Sequence, residues 1–379
     1  MSELKVDKVS PRSGTYVSLN TVGSKNIIIN GDMSIAQRGT SASGLTASTY
    51  STVDRWLDGI LTAGTWTISQ STDVPTGQGF STSMKIDCTT ANGSLSAGSL
   101  FNIQQRFEGQ NLQYLKKGTA NAESLTLSFW VKSNKTGTYI AELFDNDNSR
   151  NISKSYTINS ASTWEKKTIT FAGDTTGALD NDNNRSFNLD MWLAAGTDYT
   201  SGTLATSWES TTSANRAVGQ VNLADNTANE WYITGVQLEA GTTASDFEFL
   251  PYDMNLQRCL RYYEKFYPIT TAPADGAGNL TIGGSGGYPS WTSYVANNQR
   301  ASFVYLVPKR ASPTVTFYRG LSTATAGKVA VFDGSSWVVQ TIATSNYTAH
   351  GFWIGGTSAT TAAAGNYLFE GGWSADCEL

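Results

Sequence analysis

The sequence predicts an all-β protein, and three observations carry that prediction. Short stretches of alternating apolar and polar residues recur between frequent turn signals from Asn26 to about Leu250. No helical period is sustained over three turns in this region. The chain also holds 36 glycines, and Ser, Thr, Asn and Asp fill the stretches between apolar pairs. This is the composition of a chain with many turns, so we expect two packed β-sheets.

Two stretches, 125–132 and 187–193, show the alternation most clearly. Successive side chains of a strand point to opposite faces, so each stretch has one apolar face. The residues expected to face the core are Leu125, Leu127, Phe129, Val131, Phe187, Leu189, Met191 and Leu193. Each strand also places one tryptophan, Trp130 or Trp192, among polar residues on the other face. Further strands are expected at 66–69, 83–87, 138–144, 166–171 and 231–239.

One segment after Pro251 has helical spacing. Within 253–267, Leu256, Leu260, Tyr263 and Tyr267 recur on one helix face, and Asp253 can cap the start. A Gly-rich connector at 276–287 follows the helix. Strand patterns then resume at 301–307, 314–318, 329–332, 337–342 and 367–373. Residues 251–379 are therefore expected to form a short helix and a smaller C-terminal β-domain.

The first 24 residues form a separate region in this interpretation. Two strand-like pieces, 4–9 and 15–19, flank a turn marked by Pro11 and Gly14. A two-stranded fragment of this size is not stable alone, so a neighbour should order it. We expect residues 1–24 to be an attachment or trimerisation arm and residues 25–250 to be the main β-sandwich.

Composition excludes several classes of protein. The formal net charge is −5, and no Lys/Arg stripe is interleaved with aromatic residues, so nucleic acid is not expected as a partner. The longest apolar runs, such as 27–29, are too short to insert in a membrane. Cys88, Cys259 and Cys377 are scattered, which argues against both a disulfide framework and a zinc site. The first residues lack a secretory signal, so synthesis in a cytoplasm is expected.

Several segments resemble, in the same order, the jelly-roll carbohydrate-binding modules that recur in phage tail fibres. They are 26–39 (NIIINGDMSIAQRG), 54–56 (DRW), 124–133 and 231–239 (WYITGVQLE). The following 241–248 and 258–264 resemble the junction by which such proteins join the module to a C-terminal β-domain. The resemblance covers most of the chain and implies that the sandwich is a jelly roll.

The resemblance implies a virion protein of a tailed bacteriophage that contacts host surface glycans without catalysis. We expect a homotrimeric tail fibre or receptor-binding protein, made in the host cytoplasm and attached to other tail or head proteins through residues 1–24. One alternative is a structural virion component, such as a head-decoration fibre or a tail adaptor. The other is a capsule depolymerase, since fold alone does not fix function.

The candidate glycan-binding residues are those around the two tryptophans. Proteins bind sugars by stacking an aromatic ring on the apolar face of a pyranose, while polar side chains bond the hydroxyl groups. The residues with this composition are Trp130, Lys132, Asn188, Asp190 and Trp192. The alternative is that a loop or a neighbouring subunit covers both tryptophans, because a large exposed apolar ring is costly.

No cofactor is required by this interpretation, although a structural calcium ion is possible. Jelly-roll modules of this type often hold one, and the matching residues are Asn30, Asp32 and Glu239. The alternative is a capped turn plus a surface carboxylate. No catalytic residue is assigned: His350 is the only histidine and has no nucleophile motif nearby, and no spacing singles out a carboxylate pair for a glycosidase.

Overall fold

A computed structural model describes residues 8–9, 17–18, 24–275, 291–295, 298–318, 328–332, 337–357, 366–370 and 372–379. The predicted connector at 276–287 lies outside these residues. Within the described residues the chain is all-β, as predicted, with two α-helices, α1 (Thr197–Thr200) and α2 (Tyr252–Leu260).

The strands are numbered in chain order. Those before α2 are β1 (Lys8–Val9), β2 (Val17–Ser18), β3 (Ser41–Thr49), β4 (Leu57–Ser71), β5 (Ser83–Thr90), β6 (Leu100–Glu108), β7 (Leu125–Ser133), β8 (Gly137–Asp145), β9 (Arg150–Ile158), β10 (Glu165–Phe171), β11 (Arg185–Ala195), β12 (Glu209–Ser210) and β13 (Glu230–Ala240). Those after α2 are β14 (Tyr263–Lys265), β15 (Trp291–Val295), β16 (Asn298–Val304), β17 (Thr314–Tyr318), β18 (Lys328–Phe332), β19 (Trp337–Tyr347), β20 (Gly351–Thr357), β21 (Asn366–Glu370) and β22 (Gly372–Asp376).

Strands β3–β13 form the jelly-roll sandwich, whose two layers share the long strand β4. The first half of β4 pairs with β6, whereas its second half pairs with β5. Between the halves, Thr62 and Gly64 have positive φ angles of 49° and 86°, which bends the strand from one layer into the other. Layer one has the order β10-β7-β13-β5-β4, and layer two has the order β4-β6-β11-β8-β9-β12.

The core between the layers contains the predicted inward-facing residues. Leu127, Phe129, Leu189 and Met191 are fully buried. The rings of Phe129 in layer one and Tyr156 in layer two meet edge to face, with centroids 5.1 Å apart. This geometry is favourable for aromatic pairs and ties the layers together.

The part of the chain after α2 forms two further β units. Strands β14, β22 and β17 make a small antiparallel sheet, and β15, β16, β20, β19, β18 and β21 close into a barrel. At the other end of the chain, β1 and β2 pair as an antiparallel hairpin. The described residues of the two predicted N-terminal strand pieces are thus paired.

The predicted helix at 253–267 is wrong in its second half. Helix α2 ends at Leu260, and Tyr263–Lys265 form strand β14, which pairs with β22. Nor does the Asp253 side chain cap the helix: Pro251 occupies the N-cap position, and no side-chain cap bond is present there. The sheet pairing with β22 outweighs the helical spacing of the tyrosines, because Tyr262 and Tyr263 are both buried in this conformation.

Ion pairs of two buried arginines join the C-terminal strand region to the jelly roll. The Arg55 guanidinium, which is fully buried, forms an ion pair with Glu378 and lies 3.4 Å from the ring centre of Tyr262. Arg38 donates to Asp376 at 2.9 Å and covers the Tyr263 ring at 3.7 Å. The chain that follows β22 is therefore part of the packing of the sandwich. The three cysteines are free and buried, in keeping with the expectation of unpaired thiols.

Candidate functional site

A groove on the outer face of layer one is the best candidate for a ligand site. Its volume is about 240 Å³, somewhat below the ~300–1,000 Å³ of sites that enclose a drug-sized ligand. One sugar unit can therefore enter while the rest of a glycan stays in solvent. The groove is lined by Gly77, Gln78, Phe80, Ser128, Trp130, Lys166, Gly235, Asp246, Phe247 and Phe249.

Trp130 forms part of the floor of this groove. It lies on β7, directly opposite Lys166 on β10 and Thr234 on β13. Its side chain is only partly buried, whereas the flanking Phe129 and Val131 point into the core. Because side chains alternate along a strand, Ser128 shares the outer face with Trp130. The indole is thus held by a rigid sheet and presented to the groove.

Three phenylalanines form one wall of the groove, and none of them was predicted. Phe80 comes from the loop between β4 and β5, while Phe247 and Phe249 come from the segment between β13 and α2. Their ring centroids are 4.9–5.1 Å apart, so they form one contiguous cluster. We call Phe80, Phe247 and Phe249 the phenylalanine wall.

A bulge in β13 makes room for this wall. The pairing of β13 with β7 shifts register between Thr234 and Gln237, and Gly235 there has a φ of +62°. A Cβ atom on Gly235 would lie 2.5 Å from the Phe80 ring, so any other residue here would displace that ring. In the sequence, the only local sign that a ring packs closely on the sheet here is therefore Gly235, a glycine within a strand pattern.

Polar side chains complete the groove. Lys166 and Asp246 are exposed, and neither forms an ion pair with any residue that the structure describes. Gln78 is also exposed, and Ser128 lies on the sheet below. Together they supply an ammonium group, a carboxylate, an amide and a hydroxyl, which cover donor and acceptor roles toward sugar hydroxyls.

Lys132, a predicted ligand residue, is instead bound within the chain next to the groove. Its ammonium group pairs with Asp73 and lies 4.3 Å from the Tyr232 ring centre and 5.5 Å from that of Trp164. Asp73 also accepts a hydrogen bond of 3.0 Å from Trp164 Nε1. These contacts fix Trp164 beside the groove, so Lys132 orders the sheet surface and is not free to bond a sugar.

The other three predicted ligand residues, Asn188, Asp190 and Trp192, are not at an accessible site. They lie on β11 in layer two and are 0–1% exposed. The Trp192 indole donates to Glu142 Oε2 at 2.9 Å and packs 5.3 Å from the Tyr199 ring. The expectation of an exposed sugar platform is therefore wrong for Trp192, and the alternative of a covering loop is right. The physical reason is that α1 and the following loop cross this face of the sheet, which the alternation of one strand does not reveal.

Glu142 and Asp190 form a buried acid pair under the same covering segment. They are directly opposite each other on β8 and β11. Burial raises the pKa of Glu142 to about 7, against the opposing effect of Arg216, which bonds it at 2.8 and 3.0 Å. Burial likewise raises the pKa of Asp190. Both residues have no exposed surface, so a polysaccharide cannot reach them in this conformation.

The three residues predicted for calcium, Asn30, Asp32 and Glu239, each make hydrogen bonds to other groups of the chain, and the calcium site stays a prediction. Asn30 Nδ2 donates to the carbonyls of Ile35 and Asp54, and its Oδ1 accepts from the Ile35 amide. Both carboxylate oxygens of Glu239 accept hydrogen bonds from Ser245. Asp32 Oδ1 accepts from Ser34 and Asn255. Each side chain is thus hydrogen-bonded within the folded chain, and in the described residues no three or more His, Cys, Asp or Glu side chains group as a metal site.

A second cavity, of about 300 Å³, lies between residues 24–29 and helix α2. Its two arginines already have partners: Arg261 bonds both oxygens of Glu108 at 2.7 Å, and Arg258 donates to the Asn26 carbonyl at 3.1 Å. This cavity therefore belongs to the junction of the jelly roll with α2. In the described residues, no helix is long and apolar enough to cross a membrane.

Comparisons with known proteins give neither a family nor a relative by sequence. No model of a protein family matches the chain, and no curated protein matches it. Among solved structures, a family 4 carbohydrate-binding module (CBM4) is 14% identical with a TM-score of 0.29, and the match covers 57% of this chain and 99% of that one. A putative sugar-binding protein from Bacteroides thetaiotaomicron is 13% identical with a TM-score of 0.30, with the same two coverages.

A phage protein is also among the similar structures. The enzymatically active domain of tailspike protein 4 from bacteriophage CBA120 is 14% identical with a TM-score of 0.29. The match covers 57% of this chain and 21% of that chain, so this chain corresponds to about a fifth of it. Identities and TM-scores this low do not carry the ligands or activities of those proteins over to this chain.

Proposed function

We propose that this protein is a non-catalytic glycan-binding adhesin and that the groove beside Trp130 receives a sugar unit. The observation that carries the proposal is the combination of a half-buried indole on a rigid sheet with four unlike polar side chains at one groove. An indole offers a flat apolar surface to the C–H face of a pyranose, and the polar side chains form hydrogen bonds with the hydroxyl groups of the sugar. The shallow groove favours weak binding at each site.

The proposal extends to the particle that carries the protein. We propose a homotrimer in the virion of a tailed bacteriophage, attached through residues 1–24 to other tail or head proteins and directed at host surface glycans. The resemblance of 26–39 and 231–239 to phage tail-fibre modules supports this part. Three weak sites on one particle would bind a polymeric glycan far more tightly than one site does.

The proposed absence of catalysis rests on the acids and the imidazole. The buried acid pair Glu142 and Asp190 is covered, and His350 is exposed without a nucleophile motif nearby. The proposal requires no structural calcium ion: the side chains of Asn30, Asp32 and Glu239 make hydrogen bonds within the folded chain, and a calcium site at these residues stays a prediction.

The test is glycan binding by the full chain, compared between wild type and Trp130→Ala. An array of bacterial surface polysaccharides and defined oligosaccharides is the probe. We expect Trp130→Ala to lose at least ~5-fold in affinity, since stacking on an aromatic ring contributes about 1–3 kcal/mol and about 1.4 kcal/mol is tenfold. Tyr114→Ala is the control, because this ring is also accessible, at 51% exposure, but lines the other cavity.

Unchanged binding by Trp130→Ala, or no glycan bound by wild type, would refute the proposed site. Release of reducing ends from a bound polysaccharide would refute the non-catalytic part and favour a depolymerase.

A further inference from the structure

The phenylalanine wall is unusual for a groove that only bonds sugar hydroxyls. Phe249 is 51% exposed, and Phe80 and Phe247 are partly exposed beside it. Leaving large rings in contact with water is unfavourable, and apolar surface of this kind marks a binding site when it is contiguous. The wall therefore indicates an apolar group on the ligand in addition to the sugar face that stacks on Trp130.

A methyl group is the apolar substituent that fits against the phenylalanine wall. The rim of an unmodified hexose carries hydroxyl groups, which would lose their water against three phenyl rings without gaining hydrogen bonds. A methyl group loses no hydrogen bonds there and gains contact with the rings. The groove volume of about 240 Å³ leaves room for one sugar with a small substituent.

The polar groups of the same groove narrow the choice of substituent. An acetamido group carries, next to its methyl, one N–H donor and one carbonyl acceptor. The groove offers a carboxylate acceptor, Asp246, and two donors, Lys166 and Gln78. Asp246 immediately precedes Phe247 in the chain, and Gln78 lies two residues before Phe80, so the polar and apolar partners come from the same two segments.

We propose that this groove selects sugars that carry an acetamido group, with the methyl against Phe80, Phe247 and Phe249 and the amide toward Asp246 and Lys166 or Gln78. The inference rests on the proposed glycan-binding function of the same groove. Phe249 and Asp246 are then the residues that determine specificity, whereas Trp130 contributes to binding of any pyranose. A 6-deoxy sugar shares the methyl group and lacks the amide, so it is the closest competing ligand.

The experiment compares oligosaccharides that differ only in this substituent. Chitotetraose and cellotetraose have the same β-1,4-linked glucose backbone, with an acetamido group or a hydroxyl group at carbon 2. Calorimetry or array binding on the full chain, with rhamnose- and fucose-bearing glycans as the 6-deoxy arm, measures the preference. We expect wild type to bind chitotetraose at least about fivefold more tightly than cellotetraose, as burial of a methyl group predicts.

Two variants locate the preference. Phe249→Ala and Asp246→Ala should each lower the affinity for chitotetraose more than the affinity for cellotetraose, so that the ratio of the two affinities moves toward one. Both residues are exposed, so the substitutions leave the core intact. Tyr114→Ala should keep the ratio of wild type, because it lies outside the groove.

The outcomes separate this inference from the proposed function. Equal affinity for both tetrasaccharides, tighter binding of 6-deoxy glycans than of acetamido glycans, or binding confined to glycans without an acetamido group would each overturn the inference and leave glycan binding standing. A wild-type protein that binds no member of any arm would overturn both.

Discussion

Several polar side chains are buried in the interior of the jelly roll, and Asp58 is the clearest example of a buried carboxyl group. It is 1% exposed, and its Oδ2 has no hydrogen-bond partner among the described residues. Burial raises the pKa of Asp58 from 3.8 to about 7, against a smaller lowering effect of the neighbouring Ser51. The folded protein therefore holds the proton of Asp58 more tightly than the unfolded chain does.

This shift predicts a pH dependence with a definite sign. Because the folded pKa lies above the unfolded value, the contribution of Asp58 to stability is fully present below pH 4 and is lost as the pH rises to about 7. Asp58→Asn should remove this loss. The free energy of unfolding of the variant, relative to that of wild type, should therefore rise by roughly 2–3 kcal/mol between pH 5 and pH 8. Urea unfolding at both pH values measures the difference.

Asp180→Asn is the control, since that residue is exposed in the loop between β10 and β11. A stability difference between Asp58→Asn and wild type that does not change with pH would contradict the interpretation.

Residues also show what the sequence could and could not predict of the site. Trp130 was found because strand alternation places it on a polar face, and that face is accessible. Trp192 has the same local pattern, yet α1 and its following loop cover it, and no pattern within β11 reports what packs on the sheet from elsewhere. The phenylalanine wall was missed because its members lie in loops, where alternation gives no information and only the glycine at 235 hinted at a close approach.

At the scale of elements, the end of strand β22 connects the C-terminal sheet with the sandwich. Arg55 is fully buried, and its charge is balanced by Glu378, two residues beyond that strand. Its remaining partners are the Arg106 carbonyl at 2.6 Å and the Tyr262 ring. The helical spacing at 253–267 did not predict this connection. Tyr262 and Tyr263, which would have continued α2, instead pack against Arg55 and Arg38.

Removing Glu378 should therefore be costly. Glu378→Ala leaves an uncompensated buried guanidinium, which typically destabilises a protein by about 3–5 kcal/mol. Asp376→Ala is the matched comparison, because its side chain is 43% exposed although it pairs with Arg38 at 2.9 Å, and exposed pairs contribute at most ~1 kcal/mol. Chemical unfolding of both variants at neutral pH measures the contrast, and equal effects would show that Arg55 does not depend on Glu378.

At the scale of the whole molecule, the sequence predicted the all-β class because strand alternation and turn residues are local properties. It did not predict how the strands share layers, since β4 changes layer at a bend between two of its own halves. Two large apolar side chains of the C-terminal region, Val304 and Leu306, are each 81% exposed. We propose that these two side chains lie at the contact between chains of the proposed homotrimer.

Mass photometry of the full chain should give the mass of three chains. The double substitution Val304→Asp with Leu306→Asp should shift the population toward single chains, because charges in an apolar contact disfavour association. Tyr252→Asp, at a position 51% exposed on α2, is the control and should leave the distribution unchanged. A wild-type population at the mass of one chain, stable on concentration, would contradict the homotrimer.

The burial of all three thiols has a practical consequence. Cys88 lies in the sandwich, Cys259 in α2 and Cys377 directly after β22, so each major region has one natural reporter. Burial raises the pKa of all three thiols, and the thiolate is the form that reacts with alkylating reagents. The folded protein should therefore react slowly with maleimide. Under mild denaturant, the order in which the three cysteines become labelled should show which region unfolds first.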